Sequence, residues 1–253
     1  MTDPSDSTAP PIRRWAPDDG VERVLIVTAH PDDVDFGSAG TVATFTDAGV
    51  EVAYCIVTDG DAGGSDRTIT RPQMAEIRRR EQRAAAAVVG VHDVRFLGHP
   101  DGRVAATFDL RRDISRVIRQ FRPQRVVTQS PERNWDRIYA SHPDHLAAGE
   151  AAAAAVYPDA RNPFAHPELL EEEGLEPHTV DELWLMAFDH PNMAVDTTAA
   201  FDRKVAALMS HQSQVAERDD LAKMLREWGS GVAHSVGFPD GSVAEAYRVV
   251  QTR

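Results

Sequence analysis

The chain predicts an α/β fold, a Rossmann-like and mainly parallel sheet flanked by helices. Three observations carry that prediction. Short apolar runs alternate with segments of helical pattern from residue 22 onward, the order that builds strand–helix–strand units. The first runs, Val24-Leu25-Ile26-Val27 and Val52-Ala53-Tyr54-Cys55-Ile56-Val57, are continuously apolar, as in buried parallel strands. Gly49 and Gly90 stand where helices should stop.

In chain order, residues 1–20 are polar and contain several prolines, and they read as a disordered N-terminal arm. Residues 21–253 read as a single domain. A strand is expected over 22–29, a helix over 41–48 and a second strand over 51–58. The Gly/Asp/Ser-rich stretch 59–70 reads as a functional loop. Pro72 suits the first turn of a helix that runs to Val89. A short strand over 94–97, a helix over 108–121 and a strand over 125–129 follow. Ser141 is placed to cap an alanine-rich helix over 142–156. Residues 157–180 hold Pro158, Pro163, Pro167, Pro177 and the run Glu171-Glu172-Glu173, and they read as an irregular lid or insertion. A strand over 183–188, helices over 198–213 and 217–228, and a last strand over 246–250 complete the pattern. No internal repeat is visible.

Composition narrows the function classes. With 42% hydrophobic residues in 253, a sizeable core can form. No apolar run approaches 18 residues, so no membrane span is expected. The N-terminus lacks the apolar centre of a signal peptide. Cys55 is the sole cysteine; it fits a reducing cytoplasm and reads as a small buried hydrophobe. A formal net charge of −13 disfavours tracking along a nucleic-acid backbone. Arg78-Arg79-Arg80, flanked by Glu76 and Glu81, reads as a solvated helix face. The phosphate-binding pattern G-x-G-x-x-G does not follow the first strand. Asp32, Asp33 and Asp35 stand there instead and would repel a pyrophosphate.

Two short motifs carry the chemistry. His30-Pro31-Asp32-Asp33 falls at the carboxyl end of the first strand, where ligands bind in open α/β sheets. His142-Pro143-Asp144-His145 follows the strand at 125–129. His30 and Asp33 are three apart at a sharp turn and can point to one centre. His142 and His145 are three apart and share a face in the first turn of a helix. A catalytic metal takes three N/O ligands and leaves a place for water. A hydrolase also needs a base and an oxyanion donor, so not every residue here need be a ligand. Each motif alone reads as a turn or an incidental pair; together, at two strand ends, they point to a hydrolytic metal site. His92, His166, His178 and His234 read as surface residues. His99 and His190, each followed by proline, are possible neighbours of the pocket.

These residues resemble the LmbE-like/PIG-L family of zinc de-N-acetylases. Supporting matches are Thr58-Asp59-Gly60, Arg78-Arg79-Arg80-Glu81, Phe96-Leu97-Gly98 with Asp101-Gly102, and Lys204 through His211-Gln212-Ser213-Gln214. The resemblance covers roughly residues 22–250. It implies the LmbE-like deacetylase fold, with His30, Asp33 and His145 as ligands of zinc, or of ferrous iron in its place. It implies Asp32 as general base, His142 as oxyanion stabiliser, and Asp144 as the group that orients His142 and holds it protonated. Arg79, or its neighbour Arg78, and Asp101 correspond to substrate-contacting positions. The implied reaction removes an acetyl group from an N-acetylated amino sugar or glycoconjugate, and relatives self-associate in several ways. Val34 stands where many members carry glutamate. Ala140, one residue after Tyr139, stands where some carry a tyrosine.

Two other classes compete. Some relatives of this scaffold are hydratases of unsaturated dicarboxylic acids, and Arg133 and Arg137 would suit such a substrate. A non-catalytic binding protein is the third class; the intact His30, Asp32, Asp33, His142 and His145 argue against it.

Overall fold

The computed structural model describes residues 12–17, 20–136, 138–186 and 190–253. Its centre is one eight-stranded sheet. The strands are β1 (Arg13–Arg14), β2 (Arg23–Thr28), β3 (Glu51–Thr58), β4 (Asp93–His99), β5 (Arg125–Gln129), β6 (Glu182–Met186), β7 (Met193–Asp196) and β8 (Ala244–Gln251). Their order across the sheet is β1-β7-β8-β6-β5-β2-β3-β4. All neighbours are parallel except those of β8, which runs antiparallel between β6 and β7.

Side chains alternate across the sheet, and both faces are covered. Val24, Ile26, Val52, Tyr54 and Ile56 pack on one face with Phe45, Ala85 and Trp184. Leu25, Val27, Ala53, Cys55 and Val57 pack on the other with Leu110, Ile114, Ile118 and Ala151. The helices supplying the first face include α1 (Asp33–Asp47) and α2 (Arg71–Val88); those on the second are α3 (Phe108–Phe121) and α4 (Pro143–Ala154). Double coverage is why these strands are apolar at every position. Cys55 is fully buried, as expected, and burial pushes its thiol up to about 12.

Several boundaries differ from expectation. Helix α1 starts at Asp33, eight residues before the expected Thr41. Gly37 and Gly40 weaken its helical pattern, yet the packing demands small residues. A Cβ on Gly40 would lie 2.7 Å from Thr197 Cβ. Within the expected arm, Arg13–Arg14 pair in parallel with β7; residues 1–11 and 18–19 lie outside the described residues. Strand β7 was not expected, since four residues are too few for a pattern. Residues 187–188 of the expected strand 183–188 also lie outside the described set. The segment 157–180 contains a short helix, α5 (Pro167–Glu171). The expected helix over 198–213 is split into α6 (Phe201–Met209) and α7 (Gln212–Val215), with His211 at the break, and α8 (Leu221–Ser235) follows. Among the described residues no helix is long and apolar enough to cross a membrane.

The strand order sets the site. From β2 the sheet grows one way through β3 and β4, and the other way through β5. Adjacent parallel strands whose connections leave in opposite directions open a crevice at their carboxyl ends. Both motifs begin there, and Ala29 N–H donates to Gln129 Oε1 at 2.9 Å, tying the two strand ends together.

Candidate metal centre and active site

The turn after β2 is strained. Asp32 has φ 86° and ψ −25°, in the left-handed region, which costs an L-residue about 1–2 kcal/mol. Asp32 is the N-cap of α1, yet its side chain makes no capping bond. An aspartate at this position is normally spent on the helix amides. Here its carboxylate faces Arg78 Nη2 at 3.0 Å. Arg78 also donates to Pro31 O at 2.5 Å and Gly60 O at 3.0 Å.

Helix α4 brings the second motif. Its N-cap is His142, not the expected Ser141; Ser141 Oγ instead accepts from Asn134 N–H at 2.8 Å. Pro143 fits the first helical position. Gly149 lets the helix seat closely, since a Cβ there would lie 2.3 Å from Gln129 O. His145 Nε2 then lies 3.0 Å from Asp33 Oδ1, and Asp33 Oδ2 lies 3.3 Å from His30 Nδ1. The rings of His30, His142 and His145 are 5.1–5.3 Å apart.

On its other side, His30 Nε2 is 3.2 Å from both Asp101 Oδ1 and Asp144 Oδ2. Those carboxylates are held by the backbone. Asp101 Oδ2 accepts from Ala62 N–H at 2.8 Å. Asp144 accepts from Gly102 N–H at 2.7 Å and Val104 N–H at 3.2 Å.

Charge follows this geometry. Burial works against a proton on His30, but Asp33 and Asp101 outweigh it and push its pKa up to about 11. His145 is raised in the same way, burial opposing and Asp33 prevailing. Burial alone would raise Asp33, yet His145 and His30 hold it well below the usual carboxylate range. Asp101 is lowered to about 2, its burial overcome by His30 and the Ala62 amide. Burial raises Asp32 to about 6, with Arg78 pulling the other way and Asp33 adding to the rise. His142 is lowered by burial and by the neighbouring His30 and His145.

The donor set fits a divalent ion. Nitrogens of His30, His142 and His145 lie within 4.8 Å of one another. Ligand atoms around a tetrahedral ion with bonds near 2 Å are about 3.3 Å apart. That matches the spacing of Asp33 to both His30 and His145. The carboxylates that draw protons onto these imidazoles would equally favour a cation. His30, Asp101 and Asp144 also cluster, but backbone amides already bond those two carboxylates, which lie on the far side of His30 from Asp33.

The Asp144 carboxylate reaches His30 rather than His142. The link to His142 is through the backbone: Asp144 N–H donates to His142 Nδ1 at 3.2 Å. The second helical position directs its side chain inward, toward the 102–104 loop. Asp101 is 7% exposed, and its carboxylate meets His30 and the Ala62 amide. Arg79 forms a bidentate pair with Asp59, and its guanidinium lies 5.7 Å from the Phe96 ring centroid. It lines an outer cleft with Asp59, Glu76 and Arg83. Its neighbour Arg78, read within a solvated face, is buried against Asp32.

Other histidines stay outside the centre. His99 pairs with Asp113 at 3.1 Å, and His190 is exposed. His92 and His234 are exposed as expected. His166 and His178 are instead partly buried, against Asp159 at 3.3 Å and Pro123 O at 2.7 Å. Sequence reading missed Gln82 and Asp35 as parts of the site. Gln82 N-side and O-side atoms join Asp35 to the Asp32 amide, each at 2.8 Å. The available signal was a polar residue four after Arg78, on the helix face that also carries the buried Ala85 and Ala86.

The family model described as GlcNAc-PI de-N-acetylase, PIG-L, matches residues 25–156. Diacetylchitobiose deacetylase of Thermococcus kodakarensis is 33% identical over 205 residues, covering 79% of this chain and 73% of the relative. A probable N-acetyl-alpha-D-glucosaminyl L-malate deacetylase 2 of Bacillus anthracis is 30% identical, covering 84% and 89%. The solved N,N'-diacetylchitobiose deacetylase from Pyrococcus horikoshii superposes with a TM-score of 0.83 at 28% identity, covering 92% of this chain and 85% of that one. A 4-carboxy-2-hydroxymuconate hydratase from Pseudomonas putida, at 21% identity and a TM-score of 0.75 over 92% of this chain and 97% of that one, shares the fold. With both motifs at the β2/β5 crevice and these matches over most of its length, the chain belongs to the GlcNAc-PI de-N-acetylase, or PIG-L, family.

Proposed function

We propose that this protein is a metal-dependent deacetylase that removes the acetyl group from an N-acetylated amino sugar or glycoconjugate. His30, Asp33 and His145 would hold the ion, and zinc is the proposed metal, with ferrous iron compatible with the same N/O donors. The observation that carries the reading is Asp33 standing between His30 and His145 while the adjacent Asp32 is withheld from helix capping. When bound, the ion would supply Lewis acidity toward the acetamide carbonyl and a water.

The residues of the chain do the rest. Asp32 takes the proton of the attacking water, and its raised pKa suits a base working near neutral pH. His142 Nδ1 accepts from a backbone amide, so the neutral ring carries its proton on Nε2. That N–H is the donor for the tetrahedral oxyanion. Asp144 and Asp101 hold the His30 ring from behind. As the C–N bond breaks, Asp32 returns the proton to the departing nitrogen, and acetate and a free amine leave.

The relatives' names support an N-acetylglucosamine unit in the substrate. The test incubates zinc-loaded protein with a panel of N-acetylglucosamine conjugates, including N,N'-diacetylchitobiose, and follows free amine. Release that a chelator stops and that Asp32→Asn abolishes is the expected result. No amine from any acetylated compound, with turnover of an unsaturated dicarboxylic acid, would instead establish the hydratase. Arg133 gives that reading little support: it donates to Ser141 O at 3.3 Å and lies 5.5 Å from the Trp135 ring. Arg137 lies outside the described residues.

A further inference from the structure

A fully buried chain of side chains runs from the Asp32 amide. The Asp32 N–H donates to Gln82 Oε1 at 2.8 Å. Gln82 Nε2 donates to Asp35 Oδ2 at 2.8 Å, and His211 Nε2 meets the same oxygen at 2.8 Å. Gln82, Asp35 and His211 are all 0% exposed. They come from three separate elements: α2, the first turn of α1, and the break between α6 and α7.

The backbone amide sets the orientation of the Gln82 side chain. A backbone N–H only donates, so the Gln82 atom facing Asp32 is its oxygen. The Gln82 amide nitrogen therefore faces Asp35, whose same oxygen meets His211 Nε2. Asp35 and His211 back this orientation of Gln82, and Gln82 bonds the Asp32 peptide. With its N–H satisfied from α2, Asp32 can stay left-handed and keep its carboxylate off the helix amides. The α2–α7 joint is braced beside it, where Glu81 accepts from Ser213 N–H at 2.8 Å and Ser213 Oγ at 2.6 Å.

We propose that Gln82, locked by Asp35 and His211, is a positioning residue that aims the Asp32 carboxylate at the reacting water. This rests on the reading of Asp32 as general base. Gln82 is fully buried and its side-chain amide bonds the Asp32 N–H and Asp35, so its effect on the reaction would pass through Asp32.

The test is a double-mutant cycle on zinc-loaded full-length protein, with N,N'-diacetylchitobiose as probe, and crystal structures of the variants. Gln82→Met keeps the length and removes both hydrogen bonds. Gln82→Glu keeps the acceptor and sets a carboxylate against Asp35. Misplacing a catalytic group by about 1 Å can cost roughly 100-fold. Each variant is expected to lose 10- to 100-fold in kcat, with KM and zinc content unchanged. In the Asp32→Asn background the further loss from Gln82→Met should be under twofold, since residues acting through one another are non-additive. The Gln82→Met crystal structure should show Asp32 out of the left-handed region. Full kcat in both variants, or an equal further loss in the Asp32→Asn background, overturns the proposal. So does an unmoved Asp32 in the crystal, a readout that stands even if the probe is not turned over. If Asp32→Asn itself keeps wild-type kcat, the general-base reading fails, and the proposal falls with it for that separate reason. If Gln82→Met does not fold, Gln82→Glu and its structure decide.

Discussion

Replacing Asp144 with asparagine separates two roles for this carboxylate. The motif resemblance implies a partner of His142, whereas the structure shows a support for His30. Asp144 is 1% exposed and serves three donors. Oδ2 takes Gly102 N–H at 2.7 Å and His30 Nε2 at 3.2 Å, and Oδ1 takes Val104 N–H at 3.2 Å. Asparagine does best with its oxygen at the Oδ2 position, keeping the two bonds made there. Its NH2 then faces the Val104 N–H, donor against donor. One buried amide left without an acceptor costs about 1–3 kcal/mol. For a chain of this size, about 2 kcal/mol lowers Tm by roughly 4–8 °C. The His30 bond also loses its charge assistance, and disturbing such a support behind a ligand typically costs 10- to 100-fold in metal affinity. Competitive titration of stripped protein with zinc, alongside thermal melts, reads both effects. The expected result is weaker zinc binding in Asp144→Asn, with kcat at saturating zinc reduced much less. Zinc affinity within twofold of wild type, with kcat falling 100-fold, would refute the geometry and restore the role on His142.

Other outcomes follow from the same geometry. Asp32→Asn should lower kcat by about 10²–10⁴-fold with zinc content unchanged by elemental analysis; loss of zinc would make Asp32 a ligand instead. Zinc binding at pH 7 should release protons, because the carboxylates around His30 hold its proton up to about pH 11. Calorimetry in buffers of different ionisation enthalpy measures the count, and zero release contradicts the arrangement. The same shift has a sign for stability. With a raised folded-state pKa, the His30 contribution is complete below its unfolded value near 6.5 and fades as pH climbs toward 11. The urea midpoint of metal-free protein should therefore fall from pH 7 to pH 10, and more steeply than that of the zinc-loaded form. Finally, Arg119 is 2% exposed and donates to Ala160 O at 3.1 Å, Asn162 O at 2.9 Å and Ala165 O at 3.1 Å. Arg119→Met should cost about 2–4 kcal/mol and open residues 160–177 to limited proteolysis; an unchanged digestion pattern would show that Arg119 does not hold that segment.

Much of the fold was legible because burial on two faces leaves its mark at every strand position. The runs at 24–27 and 52–57 needed no partner to be recognised. The start of α1 was hidden, since Gly37 and Gly40 are there to admit Met186 and Thr197, residues far away in the chain. Strands β1 and β7 are two and four residues long, and they hold only because neighbours pair with them.

For the candidate site, local order along the chain was enough to nominate the chemistry. Two motifs with histidines and carboxylates at strand ends are readable wherever they occur, because ligand-type side chains and short spacings are properties of the chain itself. Direction is not. Arg78 and Arg79 are adjacent and differ by about 100° around a helix, which puts one under Asp32 and the other in an outer cleft. The family resemblance pairs Asp144 with His142, but the packing of α4 on β5 turns its carboxylate to His30. Gln82, Asp35 and His211 are joined across gaps of 47 and 176 residues, and nothing local marks them as one unit. The residue types and spacings of the chain determined which groups could bind a metal and move a proton. Only the tertiary structure decided which atom each group faces, because that depends on how separate helices pack against a shared sheet.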